Sequence, residues 1–197
     1  MDICKHLPNL HGPYLDRNQL SGQLLATLSL CGELLSLSLF YNKFARSIPR
    51  EIGNLSKLEY INLRRNSFAG SIPPSFGNIP KELGNLVNLQ FLDLCDNNLM
   101  GIVPKAIFNN SKLQILSLVL NHLSGSLLSG IGTWLPDLEG LYIGANQFSG
   151  IIPLSISNVK ANNPIFNLIN DSFFINFFHS LMYRVYIKGN HHSKNGK

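Results

Sequence analysis

The residue types that most often carry covalent or metal chemistry are present, but at spacings that support neither. Cys4, Cys31 and Cys95 lie far apart, so no CxxC pair exists for redox or zinc chemistry, and the odd count leaves at least one thiol free. The histidines, at positions 6, 11, 122, 179, 191 and 192, form no HExxH pattern. Nucleophile-elbow and paired-carboxylate arrangements are missing from the sequence, as are the Gly-rich loop, HRD and DFG elements of a kinase. No catalytic residue, metal site or cofactor is expected. The chemistry that remains is recognition, by a charged and aromatic set made of Tyr41, Tyr60, Asn62, Arg64, Arg65, Phe91, Asp93 and Asp96. These residues form a surface only if the fold brings successive stretches of chain side by side.

A periodic element does so. Asn18, Asn42, Asn66, Asn97, Asn121 and Asn146 recur at a nearly constant interval, broken by one longer step between Asn66 and Asn97. Around Asn97 stand Leu89, Leu92 and Leu94 before it, then Leu99, Gly101, Val103 and Pro104 after it, and similar residue types recur around the other asparagines. Leu-x-Leu ahead of the asparagine alternates with other residues, as a short strand with one buried face does. The buried amide that follows must find backbone partners, and stacked rungs supply them. Glycine four residues past the asparagine permits a tight bend, and proline seven past it fixes φ where the chain leaves the strand side. The period, roughly two dozen positions, is that of a leucine-rich solenoid whose rungs each touch only their neighbours. The outer side of each rung is expected to be a loose turn or short 3₁₀ segment.

Rungs of the form LxxLxxLxLxxNxLxGxIPxxIGN resemble the plant-specific class of leucine-rich repeat found in the ectodomains of receptor-like kinases and receptor-like proteins. The best copies are residues 34–54 (LLSLSLFYNKFARSIPREIGN), 58–78 (LEYINLRRNSFAGSIPPSFGN) and 138–158 (LEGLYIGANQFSGIIPLSISN), and the resemblance covers roughly residues 7–160. It implies an α/β leucine-rich repeat solenoid with short parallel strands on a concave face. It also implies a role in binding a peptide or protein ligand in surface signalling or defence, with a co-receptor as a further partner. Two alternatives are a secreted inhibitor of microbial cell-wall enzymes, which uses the same repeat, and a truncated product without function. Some receptors of this class hold a peptide carboxylate with an Arg-x-Arg pair; Asn62-Leu63-Arg64 offers one member of it. A paired-cysteine cap usually precedes the first repeat, and only Cys4 stands in that region.

Side chains alternating with the buried leucines must line the concave surface. Counted from each asparagine, the position four before it holds Tyr14, Ser38, Asn62, Asp93, Ser117 and Tyr142; two before it come Asp16, Phe40, Arg64, Cys95, Val119 and Gly144; one before it come Arg17, Tyr41, Arg65, Asp96, Leu120 and Ala145. The first half of this face is charged and aromatic, and the eight residues named above are the expected ligand contacts. An Arg65–Asp96 pair is expected within it, and Cys95 is expected on the open face.

The remaining features bound this reading. A net charge of +5 spread without a Lys/Arg cluster argues against nucleic acid as a partner. Residues 1–160 read as the solenoid, starting with a weak first rung that has Pro13 in a strand position and Leu25 in the proline position; residues 161–197 read as a hydrophobic, then polar, tail. The long interval contains IPPSFGN at 72–78 followed directly by IPKELGN at 79–85, so seven residues are in excess of the period. Loss of most of one rung, with its strand and asparagine, is the favoured origin. The excess is expected to bulge on the convex side. Trp134, the single tryptophan, reads as a hydrophobic anchor of an outer turn. The tail lacks the leucine frame of a rung and the unbroken apolar run of a membrane span, so it is expected to cover the end of the core as a helix from about Asp171. The first residues show no secretory h-region, which for a secreted family implies a lost export signal or a partial gene product, and membrane attachment is expected only through a downstream segment. Asn54, Asn109 and Asn170 begin NxS sequons and would be glycosylated if the chain enters the secretory pathway.

Overall fold

The computed structural model describes residues 6–69, 79–159, 165–167 and 172–173. Within them the Leu-x-Leu frame becomes a six-stranded parallel sheet, with one three-residue strand per rung: β2 (Ser36–Ser38), β4 (Tyr60–Asn62), β6 (Phe91–Asp93), β8 (Ile115–Ser117), β10 (Gly140–Tyr142) and β12 (Ile165–Asn167). The central residue of each of the first five, Leu37, Ile61, Leu92, Leu116 and Leu141, is at most 1% exposed. These residues and Leu39, Leu63, Leu94, Leu118 and Ile143 two positions later form one continuous apolar column through the rungs. The weak first rung still joins this sheet, through a single bridge from Tyr14 to Ser38. It leaves Leu7, Leu20, Leu25 and Leu30 exposed, as expected of an end with little stacked upon it.

The asparagines perform the same task in successive rungs. Nδ2 of Asn97 donates to the carbonyls of Leu94 (3.1 Å) and Cys95 (3.2 Å) in its own rung and of Leu63 (3.0 Å) in the preceding one. Its Oδ1 accepts the backbone N–H of Phe68 at 3.0 Å. Asn42, Asn66, Asn121 and Asn146 repeat this pattern, accepting from the N–H of Leu20, Phe44, Leu99 and Leu123. Each side chain thus closes its own turn and ties it to the turn before, satisfying polar groups that the stack removes from water.

On the opposite side the rungs form 3₁₀ turns at Arg50–Asn54, Lys81–Asn85, Lys105–Asn109 and Leu154–Asn158, each entered through a proline, and a short α-helix, α1, at Ile131–Trp134. The glycine of the IGN signature permits their close stacking. A Cβ on Gly53 would run into the Glu82 carbonyl, and one on Gly84 into that of Ala106. Trp134 packs against the core, as expected of an anchor, with Lys105 Nζ 5.1 Å from its ring centroid.

Two features depart from the sequence reading. The pattern predicts one strand per rung with a loose turn or short 3₁₀ segment outside it, but residues following the asparagines form further parallel sheets: β1 (Ser21–Gln23), β3 (Lys43–Arg46) and β5 (Ser67–Phe68) in one, and β7 (Met100–Ile102), β9 (His122–Gly125), β11 (Gln147–Gly150) and β13 (Ser172–Phe173) in the other. These segments lie between two anchored corners of successive rungs, so their backbones run parallel and pair although they carry little alternation. The tail also departs. Its described parts extend the ladder, Leu141 pairing with Phe166 and Gly150 with Phe173, so Ser172–Phe173 is strand where the sequence predicts a helix. Backbone pairing with an exposed strand edge needs no leucine frame. Residues 70–78, with the bulge expected there, and Asn170 lie outside the described residues.

Candidate ligand-recognition face

The strands bring the expected contacts of three rungs into one strip. Tyr60 and Phe91 are distant in sequence yet direct partners across β4 and β6, their rings stacked at 4.4 Å with an interplanar angle of 9°. Such a pair contributes about 0.5–1.5 kcal/mol beyond its buried area. Asn62 donates from Nδ2 to the Tyr60 hydroxyl (3.3 Å) and accepts the Arg64 N–H at Oδ1 (3.1 Å), which fixes the strand end.

Beside this stack lies a cationic cluster. The guanidinium carbons of Arg17 and Arg64 stand 5.8 and 6.0 Å from the ring centroid of Phe40, and that of Arg65 stands 5.7 Å from the ring of Tyr41. The expected pair is present, Arg65 Nε donating to Asp96 Oδ2 at 3.2 Å with both side chains about half exposed. Arg64 is held differently. Among the described residues its buried Nε has no hydrogen-bond partner, and the carboxylate of Asp93 acts on it only through the local field.

Tyr41, Arg65 and Asp96 share a backbone state that has no signature in the sequence. Their φ angles are 56°, 54° and 57°, and Arg17, Leu120 and Ala145 at the same place in their rungs lie between 55° and 57°. A left-handed residue costs a non-glycine about 1–2 kcal/mol. Here it turns the chain out of the strand so that the next residue, the ladder asparagine, enters the core.

Two expected face residues are corrected. Asp93 is 7% exposed, because its Oδ1 accepts the Cys95 N–H at 2.9 Å and the carboxylate also takes a hydrogen bond from the Ser117 side chain. Burial pushes its carboxyl above the usual range, against those hydrogen bonds and the nearby Arg64. Cys95 is 5% exposed instead of lying open. Burial, with Asp93 beside it, pushes this free thiol up to about 11, and Arg64 and Arg65 only partly oppose the shift. Cys31, by contrast, is disulfide-bonded. Tyr41 and Arg65 are exposed, while Tyr60, Asn62, Arg64, Phe91 and Asp96 are half-buried. Phe40 and Arg17 extend the strip beyond the eight residues expected. They occupy the offsets of Arg64 and Arg65 in other rungs, where the sequence places them on the concave surface although not among the eight expected contacts.

The other sequence-derived sites divide. Asn54 and Asn109 are exposed at the ends of equivalent convex 3₁₀ turns. Among the described residues, no three His, Cys, Asp or Glu side chains converge as a metal site would require, and no helix is long and apolar enough to cross a membrane.

The fold agrees with comparisons to known proteins. The leucine-rich repeat family model matches residues 57–86 and 88–110. Receptor-like protein 39 of Arabidopsis thaliana is 34% identical to the chain, over 87% of this chain and 20% of its own length. The solved ectodomain of the plant membrane receptor kinase GASSHO1/SCHENGEN3 from Arabidopsis thaliana, in complex with Casparian strip integrity factor 2, superposes with a TM-score of 0.78 at 33% identity, over 88% of this chain and 20% of that one. The plant peptide hormone receptor RGFR1 in complex with RGF2 gives a TM-score of 0.79 at 30% identity, over 87% of this chain and 26% of that one. The architecture is that of a leucine-rich repeat solenoid. The chain is similar to the leucine-rich repeat ectodomains of plant receptor-like proteins and receptor kinases, and it spans about a fifth of the length of the first of these relatives.

Proposed function

We propose that this chain is a ligand-recognition segment of a plant-type cell-surface receptor, binding an extended peptide or a protein segment across its concave strands. A co-receptor surface is a further role open to the same repeats. Binding alone is the task of this segment, and any phosphoryl transfer belongs to other parts of such a receptor. The observation that carries this reading is the strip running from Phe40 with its two arginines to the Tyr60–Phe91 stack. It presents aromatic faces and three guanidinium groups across neighbouring rungs, and among the described residues only Arg65 of the three is paired with a carboxylate, that of Asp96. Asp16 and Asp93 are engaged elsewhere, Asp16 Oδ1 accepting the Ser38 hydroxyl and the Phe40 N–H. Arg17 and Arg64 thus form no ion pair among the described residues, and such guanidinium groups beside aromatic faces favour a ligand segment with acidic and aromatic or aliphatic side chains.

The test is selection from a displayed library of linear peptides on the purified chain and on its Arg64→Glu and Tyr60→Ala/Phe91→Ala variants. The wild type is expected to enrich acidic sequences that both variants lose. Enrichment of the same sequences by all three proteins would place binding elsewhere and reject the assignment.

A further inference from the structure

The Tyr60–Phe91 stack is the beginning of a longer apolar row. Six residues before the ladder asparagine stand Tyr60, Phe91, Ile115 and Gly140 in four successive rungs, and the register of β4, β6, β8 and β10 places them side by side. Gly140 does not interrupt the row. A Cβ there would lie 2.6 Å from Cε2 of Tyr142 and 2.9 Å from Cδ1 of Ile115, so the Tyr142 ring folds back over the glycine and lies beside the isoleucine of the neighbouring rung. Tyr60, Phe91, Ile115 and Tyr142 are all half-buried and therefore still open to a partner. With strands about 4.8 Å apart, the row is about 14 Å long.

The charges on either side of this row are sorted by sign. Toward the C-terminal ends of the inner strands lie the guanidinium groups of Arg17 and Arg64, which form no ion pair among the described residues. Just before the strands, seven residues ahead of the asparagine, stand Glu59 and Glu139 at the two ends of the row, with Gln90 and Gln114 between them. Both glutamates are exposed and form no ion pair among the described residues. Lys57 and Lys112 on the same edge are each drawn to the preceding rung, Lys57 Nζ to Glu33 at 2.6 Å and Lys112 Nζ to Asn88 Oδ1 at 2.7 Å. From the strand C-termini to their N-termini the face thus runs cationic, then apolar, then anionic. Arg64 and Glu59 are separated by about 16 Å of strand, and the three rungs between Arg64 and Glu139 lengthen that diagonal to about 22 Å.

We infer that the ligand of this face is a zwitterionic segment with an apolar centre. Its acidic side chain meets Arg17 and Arg64, its large apolar side chains lie on the row from Tyr60 to Tyr142, and a Lys or Arg meets Glu59 or Glu139. An extended chain rising about 3.3 Å per residue spans the two charged edges in about five to seven residues, which fixes the spacing of the ligand charges. Opposite charges at both edges select this order, and the aromatic row supplies the anchor between them. The inference rests on the reading of the concave face as a ligand surface, and adds to it the basic group and its distance from the acid.

The probe is a synthetic peptide with blocked termini, carrying Glu, a Lys about six residues further on, and Leu-Phe between them on a Gly/Ser background. Its binding to the full chain is read by fluorescence anisotropy. Saturable binding is expected, weaker by about tenfold when the same residues are reordered to bring Glu and Lys next to each other. The Glu59→Lys/Glu139→Lys variant is expected to bind the probe about tenfold more weakly, and to bind an analogue with Glu in place of Lys more tightly than the wild type does. A folding defect would not produce that exchange of preference. Absence of saturable binding, or binding that requires Arg64 but ignores the charge spacing and both glutamates, would overturn the zwitterionic ligand; the second result would leave the ligand face itself standing. Binding unchanged in Arg64→Glu would reject the face and the inference with it.

Discussion

The inner and outer sheets respond differently to the same irregularity. Between Asn66 and Asn97 the repeat is seven residues too long, the length of one extra IPxxxGN copy. The inner sheet ignores this, and Tyr60, Ile61 and Asn62 pair with Phe91, Leu92 and Asp93 in the register used by the other rungs. Among the described residues, the outer strands divide at this point into a three-stranded sheet ending at β5 and a four-stranded sheet beginning at β7. On the convex side the second IPxxxGN copy supplies the 3₁₀ turn Lys81–Asn85 that packs between those of the flanking rungs. From the rung of Asn42 onward the inner register is held by a buried pair of leucines or isoleucines and a four-bonded asparagine, whereas the short outer strands bury a single side chain such as Phe68, Leu123 or Phe148. An excess of chain is therefore absorbed where fewer buried groups depend on register.

The strongest way to break this contrast is to remove a ladder asparagine. Asn97→Ala strands the Phe68 N–H and takes a donor from the carbonyls of Leu63, Leu94 and Cys95, all at a buried site. A loss of about 1–3 kcal/mol is expected in chemical denaturation. Asn18→Ala, at the exposed first rung where among the described residues the amide serves Leu15 and Asp16, should cost less than about 0.5 kcal/mol. Equal effects would show that position in the stack does not set the asparagine's contribution.

The outer sheet offers a smaller effect of opposite sign. Gly22, Gly101, Gly125 and Gly150 hold positive φ at the bend four residues past the asparagine, whereas Arg46 is forced to φ 67° there. Arg46→Gly should therefore raise stability by up to about 1 kcal/mol, since relief of the left-handed strain is partly offset by the entropy of a glycine in the unfolded chain. A lower melting temperature for this variant would mean that the arginine side chain contributes more than its backbone costs.

The smallest effect is expected from deleting residues 72–78, which rejoins Gly70-Ser71 to Ile79-Pro80 and restores the ordinary spacing of the asparagines. Stability should change by less than about 1 kcal/mol, because closure of a loop shorter by seven residues alters chain entropy little. A structure of the deletion variant should join the two outer sheets through pairing of β5 with β7. A large loss of stability would assign those seven residues a packing role.

How far the sequence can be read follows from the same contrast. The leucine frame, the asparagine ladder, the glycine bend and the 3₁₀ side each require a particular residue type at a fixed offset, so they are visible. So is the Arg65–Asp96 pair, because the frame aligns offsets across rungs despite the irregular interval. The outer strands are not visible: KFAR and SF carry neither alternation nor strong strand propensity, and their pairing follows from the rung geometry already fixed on either side. Alternation also fails at the end of each inner strand. Left-handed residues such as Arg65 and Asp96 break the period, and an aspartate that accepts the backbone N–H two residues on, as Asp93 does from Cys95, is drawn inward. The aromatic–cationic strip is legible only in part, since the contacts that bring Arg17 and Arg64 to Phe40 join rungs on both sides of it.

Continuity of the inner ladder across the long interval can be measured directly by amide hydrogen exchange. The N–H groups of Leu63 and Arg65 donate across it to the carbonyls of Asp93 (2.8 Å) and Cys95 (3.0 Å), as those of Leu39 and Tyr41 donate to Asn62 and Arg64 (both 2.9 Å) over an ordinary interval. Both pairs are expected to exchange with the same protection, set by opening of the whole stack. Exchange of Leu63 and Arg65 much faster than that of Leu39 and Tyr41 would show that the seven extra residues uncouple the two halves of the solenoid, and would contradict a continuous inner ladder.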